Sequence, residues 1–256
     1  MSYIQGSFEL ISVKQLNSTC YDFSIFCPEI VALAKAGQFL HIRCEGKTLR
    51  RPISICEIDR VRNTIRFVFD IRGEGTLWLS QRIRGERLDI LGPLGNGFNV
   101  FDSEKNALFV GGGIGVPPLL ETAKLFNGQA DAILGFKCSE ISILIEDFQK
   151  ECANVFLTSD DGSLCEKGFA TNLLIECIKN KRYDIIYSCG PMSMLKEVSI
   201  IAKTNGIPCF ISLEERMGCG VGACLVCACK IKADEAEIYK HVCKDGPVFN
   251  AEEVIW

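Results

Sequence analysis

Four cysteines near the C-terminus constrain this chain more than any other feature. In EERMGCGVGACLVCACKIK, Cys219, Cys224 and Cys227 are spaced C-x4-C-x2-C, and Cys243 follows in YKHVCKDGPVF. Thiolates so close in sequence converge on one small body only if the backbone wraps around it. The spacing is that of a [2Fe–2S] cluster held by four thiolates. Gly218, Gly220 and Gly222 suit such a loop, because they allow positive φ and close approach and leave amide N–H groups to face sulfur. A cluster with its thiolates is net anionic, so those amides would stabilise it and help set its potential. Zinc is the alternative, although a four-cysteine zinc site more often shows two C-x2-C pairs, and one is present here. A disulfide framework belongs to small secreted chains. Cys229, two residues past Cys227, competes as a ligand; the x2 spacing assigns the role to Cys227 and leaves Cys229 to the strand at CKIKA.

The chain holds 15 cysteines in 256 residues, and those outside the motif, such as Cys20, Cys56, Cys138 and Cys177, show no paired spacing. Scattered cysteines behave as small buried hydrophobes and need a reducing compartment, so a cytoplasmic protein is expected. The start, MSYIQGSFELISV, has no basic stretch followed by an apolar run, and no signal peptide is read. Apolar runs are broken by Gly and Pro before they could span a bilayer. A net charge of −4 gives no reason to expect nucleic acid or an anionic membrane as partner.

Residues 1–100 alternate apolar and polar in SFELISVKQL, CYDFSIFCP, AGQFLHIRC and TIRFVFDIR, with turn residues Asn17, Pro28 and Asn63 between them. Short strands at this spacing predict an antiparallel barrel that ends at the GPLGNGF loop, Gly92 to Phe98. In LRRPISICEID, the Arg-Pro-x-Ser run can place a guanidinium on a pyrophosphate and a hydroxyl near a ring. About twenty residues on, GEGTLWLSQRI puts a tight turn at Gly73 and Gly75 and opens a short helix at Thr76, whose N-terminus favours phosphate.

From Ala107 the pattern changes to strands alternating with helices, which predicts a parallel, doubly wound sheet over residues 101–212. ALFV runs into GGGIGVPPLLETAKLF: a buried strand, a glycine turn and a helix. Gly111, Gly112, Gly113 and Gly115 would let the backbone approach a pyrophosphate at that helix N-terminus. Ligands of such sheets sit at the carboxyl ends of strands, where Thr158 to Gly162 and Cys189-Gly190-Pro191 also fall. Asp160 and Asp161 would repel a ribose 2′-phosphate, which favours NAD over NADP. Residues 213–256 remain for the cysteine module. His41 and His241 lack partners for a metal or nucleophile constellation, and His41, in an alternating strand, reads as structural.

In order, RRPISI, GEGT, GGGIGVPPLL, SCGPMSML, the four cysteines and CKDGPVFNAEEVIW resemble the ferredoxin–NADP reductase superfamily of flavoproteins. More narrowly they resemble the electron-transfer subunits of the type B dihydroorotate dehydrogenases, over essentially the whole chain. The resemblance implies FAD contacts at Arg51, Pro52, Ile53 and Ser54, at Val68, Phe69 and Asp70, and at Gly75 and Thr76. It implies cluster ligation by Cys219, Cys224, Cys227 and Cys243. The superfamily often has Tyr where Ile53 stands, so no aromatic covers the flavin ring from there. Asp70 stands where relatives carry a basic or neutral residue, leaving its backbone as the expected contact. The implied activity is that of an oxidoreductase subunit with no catalytic acid or base of its own. An FMN-containing partner of TIM-barrel type oxidises dihydroorotate, in a heterotetramer of two plus two, and electrons reach NAD+ through [2Fe–2S] and FAD during pyrimidine (UMP) synthesis. Two alternatives stay open: an FAD and [2Fe–2S] subunit of an NADH-dependent ferredoxin or sulfide oxidoreductase, and a zinc-stabilised binding module that is not an enzyme.

Overall fold

The computed structural model describes residues 2–100, 105–233 and 236–256. The period-2 segments form β1 (Ile4–Gln15), β2 (Cys20–Phe26), β3 (Phe39–Ile42), β4 (Arg51–Asp59), β5 (Thr64–Asp70) and β6 (Arg87–Leu94). They close into an antiparallel barrel in the order β1-β2-β5-β4-β3-β6. Closure removes exposed strand edges. It also buries one face of each strand around Leu10, Phe23, Ile25, Leu40, Ile55 and Phe67, each such side chain contributing roughly 1.5–3 kcal/mol. Two details depart from the sequence pattern. Pro28 opens a helix, α1 (Pro28–Leu33), rather than a turn, because proline's fixed φ suits the first helical position. Gly92 and Pro93 lie inside β6 rather than in a loop. The β3–β6 ladder jumps there, pairing Phe39 with Leu94 and His41 with Leu91, so proline's missing N–H falls at an irregularity. A second short helix, α2 (Glu74–Ser80), follows β5.

The strand–helix pattern forms β7 (Ala107–Gly112), α3 (Pro117–Lys124), β8 (Asp131–Phe136), α4 (Ile145–Glu151), β9 (Asn154–Ser159), β10 (Glu166–Lys167), α5 (Ala170–Asn180), β11 (Ile185–Cys189), α6 (Met192–Thr204) and β12 (Cys209–Ser212). After it come a hairpin, β13 (Ala228–Ala233) with β14 (Ala236–His241), and β15 (Val248–Asn250). The sheet order is β10-β9-β8-β7-β11-β12-β15. All pairs are parallel except β12–β15. Alternate side chains of β7 leave on opposite faces: Leu108 and Val110 pack with Leu173, Leu174 and Val198 of α5 and α6. Ala107 and Phe109 pack with Leu119, Leu120 and Phe148 of α3 and α4. This is the doubly wound arrangement. The antiparallel edge β15 comes from beyond the cysteine loop, so the end of the chain returns to the sheet; three residues carry too little periodicity to announce that.

Barrel and sheet share cores: Val68 and Phe98 lie with Phe109 and Val116. Charged groups at their border are paired, with Arg66 of β5 reaching Asp22, Glu57 and Asp147 at 2.8, 3.2 and 2.7 Å. Lys124 reaches Glu57 at 2.7 Å, and Glu121 of α3 accepts the Ile58 N–H at 3.0 Å. No helix among the described residues is long and apolar enough to cross a membrane.

Candidate functional site

The cysteine loop wraps as its spacing requires. Val221 and Ala223 donate backbone N–H to Cys219 Sγ at 3.4 and 3.2 Å, Gly222 to Cys243 Sγ at 3.1 Å, Cys219 to Cys224 Sγ at 3.4 Å and Cys243 to Cys227 Sγ at 3.4 Å. Gly220 and Gly222 take φ of +75° and +82°, a region that favours glycine. Gly218 does not; its role is close approach, since a Cβ there would stand 3.1 Å from Cys224 Sγ. Burial pushes the Cys219 thiol up, but the amides of Val221 and Ala223 and the Cys224 thiol outweigh it and lower it to about 6. Cys243 is instead raised to about 12, by burial and by Cys227 beside it. Among the described residues no three His, Cys, Asp or Glu side chains close on one point as the ligands of a single ion would. Backbone N–H bonds link Cys219 to Cys224 Sγ and Cys243 to Cys227 Sγ within the same turn, and a donor set made only of cysteine sulfur fits an iron–sulfur cluster. Cys229 lies in β13, where its thiol donates to the Lys240 carbonyl at 3.5 Å.

The flavin-motif residues gather at the start of β4, the end of β5 and α2. Arg51 lies over Gly75, where a Cβ would stand 2.3 Å from its Nε. Its Nη1 donates to the Leu49 carbonyl at 2.7 Å, and among the described residues it forms no ion pair. Such a guanidinium against the first turn of a helix can receive a phosphate. The Thr76 hydroxyl accepts the Arg72 N–H at 2.8 Å and donates to the Gly73 carbonyl at 3.2 Å, closing that turn. Pro52 pairs with His41 and Ser54 with Phe39 across β3. Ile53 and Phe69 point into the barrel core, so only their backbones can meet a ligand. Val68 faces the sheet domain. Asp70 faces Arg72 through Oδ2 at 3.7 Å, while its buried Oδ1 has no hydrogen-bond partner among the described residues, an acceptor left free for a ligand donor. A free cation and an orphaned acceptor at neighbouring strand ends fit a cofactor that carries both phosphates and hydroxyls.

The two glycine motifs of the sheet meet directly. Cys189 pairs with Gly111 across β11 and β7. A Cβ at Gly115 would stand 2.5 Å from the Cys189 carbonyl, and one at Gly112 would stand 2.8 Å from Pro191. The Gly113–Gly115 turn also touches β5. Because Pro117 and Pro118 begin α3 and carry no N–H, amides for an anion come from the glycine turn before the helix rather than from its first turn. Gly190 continues the same surface, with φ of +159°. Burial pushes the Cys189 thiol up to about 12, which suits packing and not nucleophilic chemistry. Asp161 spends its carboxylate on its own loop, accepting from the Ser163 N–H and Oγ at 2.9 and 2.7 Å.

His41 is fully buried, and burial, followed by the charge of Arg50, pushes its imidazole down to about 4. A Cβ at Gly220 would stand 2.6 Å from its Nδ1. The cysteine loop therefore packs on β3, the strand that pairs with Arg51 to Ser54.

Residues 214–255 match the iron–sulfur cluster binding domain of dihydroorotate dehydrogenase B. The chain is 46% identical over 222 residues to the dihydroorotate dehydrogenase B (NAD(+)) electron transfer subunit of Caldanaerobacter subterraneus subsp. tengcongensis, covering 86% of this chain and 87% of that one. It is 40% identical over 255 residues to the subunit of the same name from Bacillus mycoides, covering 96% of each. The chain belongs to this family. Electron transfer subunits of dihydroorotate dehydrogenase B are parts of an oxidoreductase complex, so a catalytic partner subunit goes with them. Among solved structures, an NADH-dependent reduced ferredoxin–NADP oxidoreductase studied for flavin-based electron bifurcation aligns with a TM-score of 0.88 at 29% identity. That alignment covers 97% of this chain and 90% of that one. The ferredoxin reductase of carbazole 1,9a-dioxygenase aligns at 0.69 with 20% identity over 81% of this chain and 68% of its own, a likeness of fold. In this electron transfer subunit, sequence reasoning missed the placement of His41 and the free oxygen of Asp70. An alternating strand reports that His41 is buried but not which loop lies on it, and nothing local marks an acceptor as unpaired.

Proposed function

We propose that this electron transfer subunit passes electrons from dihydroorotate, oxidised on an FMN-containing catalytic partner, to NAD+, as a two-plus-two heterotetramer in pyrimidine synthesis. The observation that carries the reading is that the four-thiol loop packs on His41 of β3, the strand that pairs with Arg51 to Ser54 of β4. Bound in these places, [2Fe–2S] would relay single electrons and FAD would exchange them for the hydride that NAD+ accepts. Cys219, Cys224, Cys227 and Cys243 hold the cluster. Arg51 neutralises the FAD pyrophosphate, helped by Gly75 and Thr76, while Pro52 to Ser54 and Val68 to Asp70 line the flavin through backbone and the Asp70 acceptor. The turn of Gly111, Gly112, Gly113 and Gly115, with Cys189-Gly190-Pro191, receives the nicotinamide nucleotide. In this reading the pyrimidine is handled by the partner subunit. The many unpaired buried thiols support a reducing compartment such as the cytoplasm.

The test is to purify the chain anaerobically, assay flavin, iron and acid-labile sulfide, then add an FMN-containing dihydroorotate-oxidising subunit and follow NAD+ reduction. Flavin, two irons per chain and activity that appears only with the partner are expected. Zinc in place of iron, or dihydroorotate oxidation by the chain alone, would overturn the reading. Cys227→Ser should lose the cluster and Cys229→Ser should keep it; the reverse would move the ligand to Cys229.

A further inference from the structure

The chain has two histidines, and His41 has both ring nitrogens buried without a hydrogen-bond partner among the described residues. Buried polar groups in native proteins are almost always paired, and an apolar ring of the same shape would fill this place without orphaned nitrogens. The nitrogens therefore point to a partner that arrives when the site is complete. The surroundings narrow the choice. On one side His41 pairs with Pro52 of β4. On the other, Gly220 lies so close that a Cβ there would stand 2.6 Å from Nδ1. The backbones of Arg50 and Cys219 both lie within electrostatic reach of the ring but outside hydrogen-bond geometry. Arg50 adjoins β4 in the barrel, whereas Cys219 belongs to the loop that wraps the cluster, so a small settling of that loop would bring ring and Cys219 backbone together. Val221 and Ala223, whose N–H groups face Cys219 Sγ, continue the same turn.

We propose that His41 is a positioning residue for the iron–sulfur cluster: its ring N–H closes on the backbone of the Cys219–Gly220 turn when the cluster is seated, and pins that turn to β3, the neighbour of the Arg51 strand. The inference rests on Cys219 being a ligand. Its physical consequence concerns potential. Amides aimed at sulfur stabilise the more anionic, reduced cluster, so a turn held in register keeps the potential up, and a loosened turn lets it fall.

Two measurements on the chain loaded with flavin and cluster decide it. With only His41 and His241 to observe, selective 15N-histidine labelling, assigned with His241→Gln, should show one His41 ring N–H that resists exchange and shifts when the cluster is reduced. His41→Phe keeps the ring shape and removes the donor. By EPR-monitored titration it should lower the reduced-to-oxidised ratio about tenfold at fixed potential, about 59 mV for one electron, with iron and flavin content unchanged. His41→Gln, which keeps a donor, should recover part of that shift. A His41 ring without a protected N–H, or a Phe variant with unchanged potential, overturns the proposal. If the Phe variant does not accumulate, the labelled unaltered chain decides alone. Absence of a two-iron signal in the unaltered chain would overturn the ligand assignment itself, a separate result.

Discussion

Adjacent residues of one type can serve different ends, and Arg50 and Arg51 show it. Arg50 forks onto Asp89 at 2.8 and 3.0 Å and donates to the backbone oxygens of His41 and Asp89, so its charge is spent on holding the barrel. Arg51 has its guanidinium on Gly75 and, among the described residues, forms no ion pair. Arg51→Ala is expected to weaken FAD binding ten- to a hundredfold, since a charge-assisted contact is worth about 1.5–3 kcal/mol. Fluorescence titration of the flavin-stripped chain checks this, and equal affinity in variant and parent would show Arg51 to be a surface charge. LRRPIS alone does not separate the two arginines, because the choice depends on Asp89, 39 residues away. The cysteine loop was legible because its geometry is written in short spacings. Which amide faces which sulfur was not, because that follows from the fold of the turn.

At the scale of elements, the turns after β7 and β11 behave as one surface. A methyl at Gly115 would lie 2.5 Å from the Cys189 carbonyl and the Gly190 Cα, and backbone has little room to yield. Gly115→Ala should force the turns apart at a cost of about 1–3 kcal/mol. In dye reduction it should raise KM for NADH about tenfold while flavin and iron stay bound; an unchanged KM would detach this turn from the nicotinamide. β8 carries a pH sensor of a structural kind. Asp131, almost fully buried, accepts from Lys181 at 2.8 Å, Tyr183 at 2.7 Å and Asn154 at 2.8 Å. Burial pushes its carboxyl up, yet these three partners together hold it below the usual range. The unfolded chain therefore binds this proton more readily, so the stabilisation is present above about pH 3.9 and is lost as pH falls. Urea midpoints followed from pH 7 to pH 3 should fall more steeply for the parent than for Asp131→Asn; parallel curves would count against this. Long periodic elements such as α5 and β5 could be read directly, whereas α1 and β15, at six and three residues, took their form from tertiary contacts.

Over the whole molecule, the sequence order of motifs is turned into a spatial order. Arg66 of β5 ties the barrel to the sheet through Asp147 of α4, while Asp22 and Glu57 hold it within the barrel, and this sets the proposed flavin cradle of β4 and β5 against the glycine turn. Asn96, just past β6, donates to the Lys244 and Asp245 carbonyls at 3.1 and 3.0 Å, which ties the segment after Cys243 to the end of the barrel. The class of each part was legible from periodicity and motif, but this arrangement was not, since it depends on contacts between residues as distant as Asn96 and Asp245. In the proposed scheme the flavin cradle is flanked by the glycine turn at β5 and by the thiol loop at His41, and the buried Cys227 and Cys243 pack in one core with Val110 and Leu195 of the sheet. Removing Sγ at Cys243 changes the loop's ligand set and not the groups of the cradle, so a partnered Cys243→Ser variant should separate the two. Gly222 N–H faces Cys243 Sγ at 3.1 Å and Cys227 lies beside it, so the loop loses a ligand while the β4, α2 and β7 elements stay intact. NADH-driven dye reduction should persist near the parent rate, and dihydroorotate-driven NAD+ reduction should be lost. Loss of both activities would mean that the loop also supports the flavin cradle, and retention of both would mean that electrons reach the flavin without passing the four cysteines.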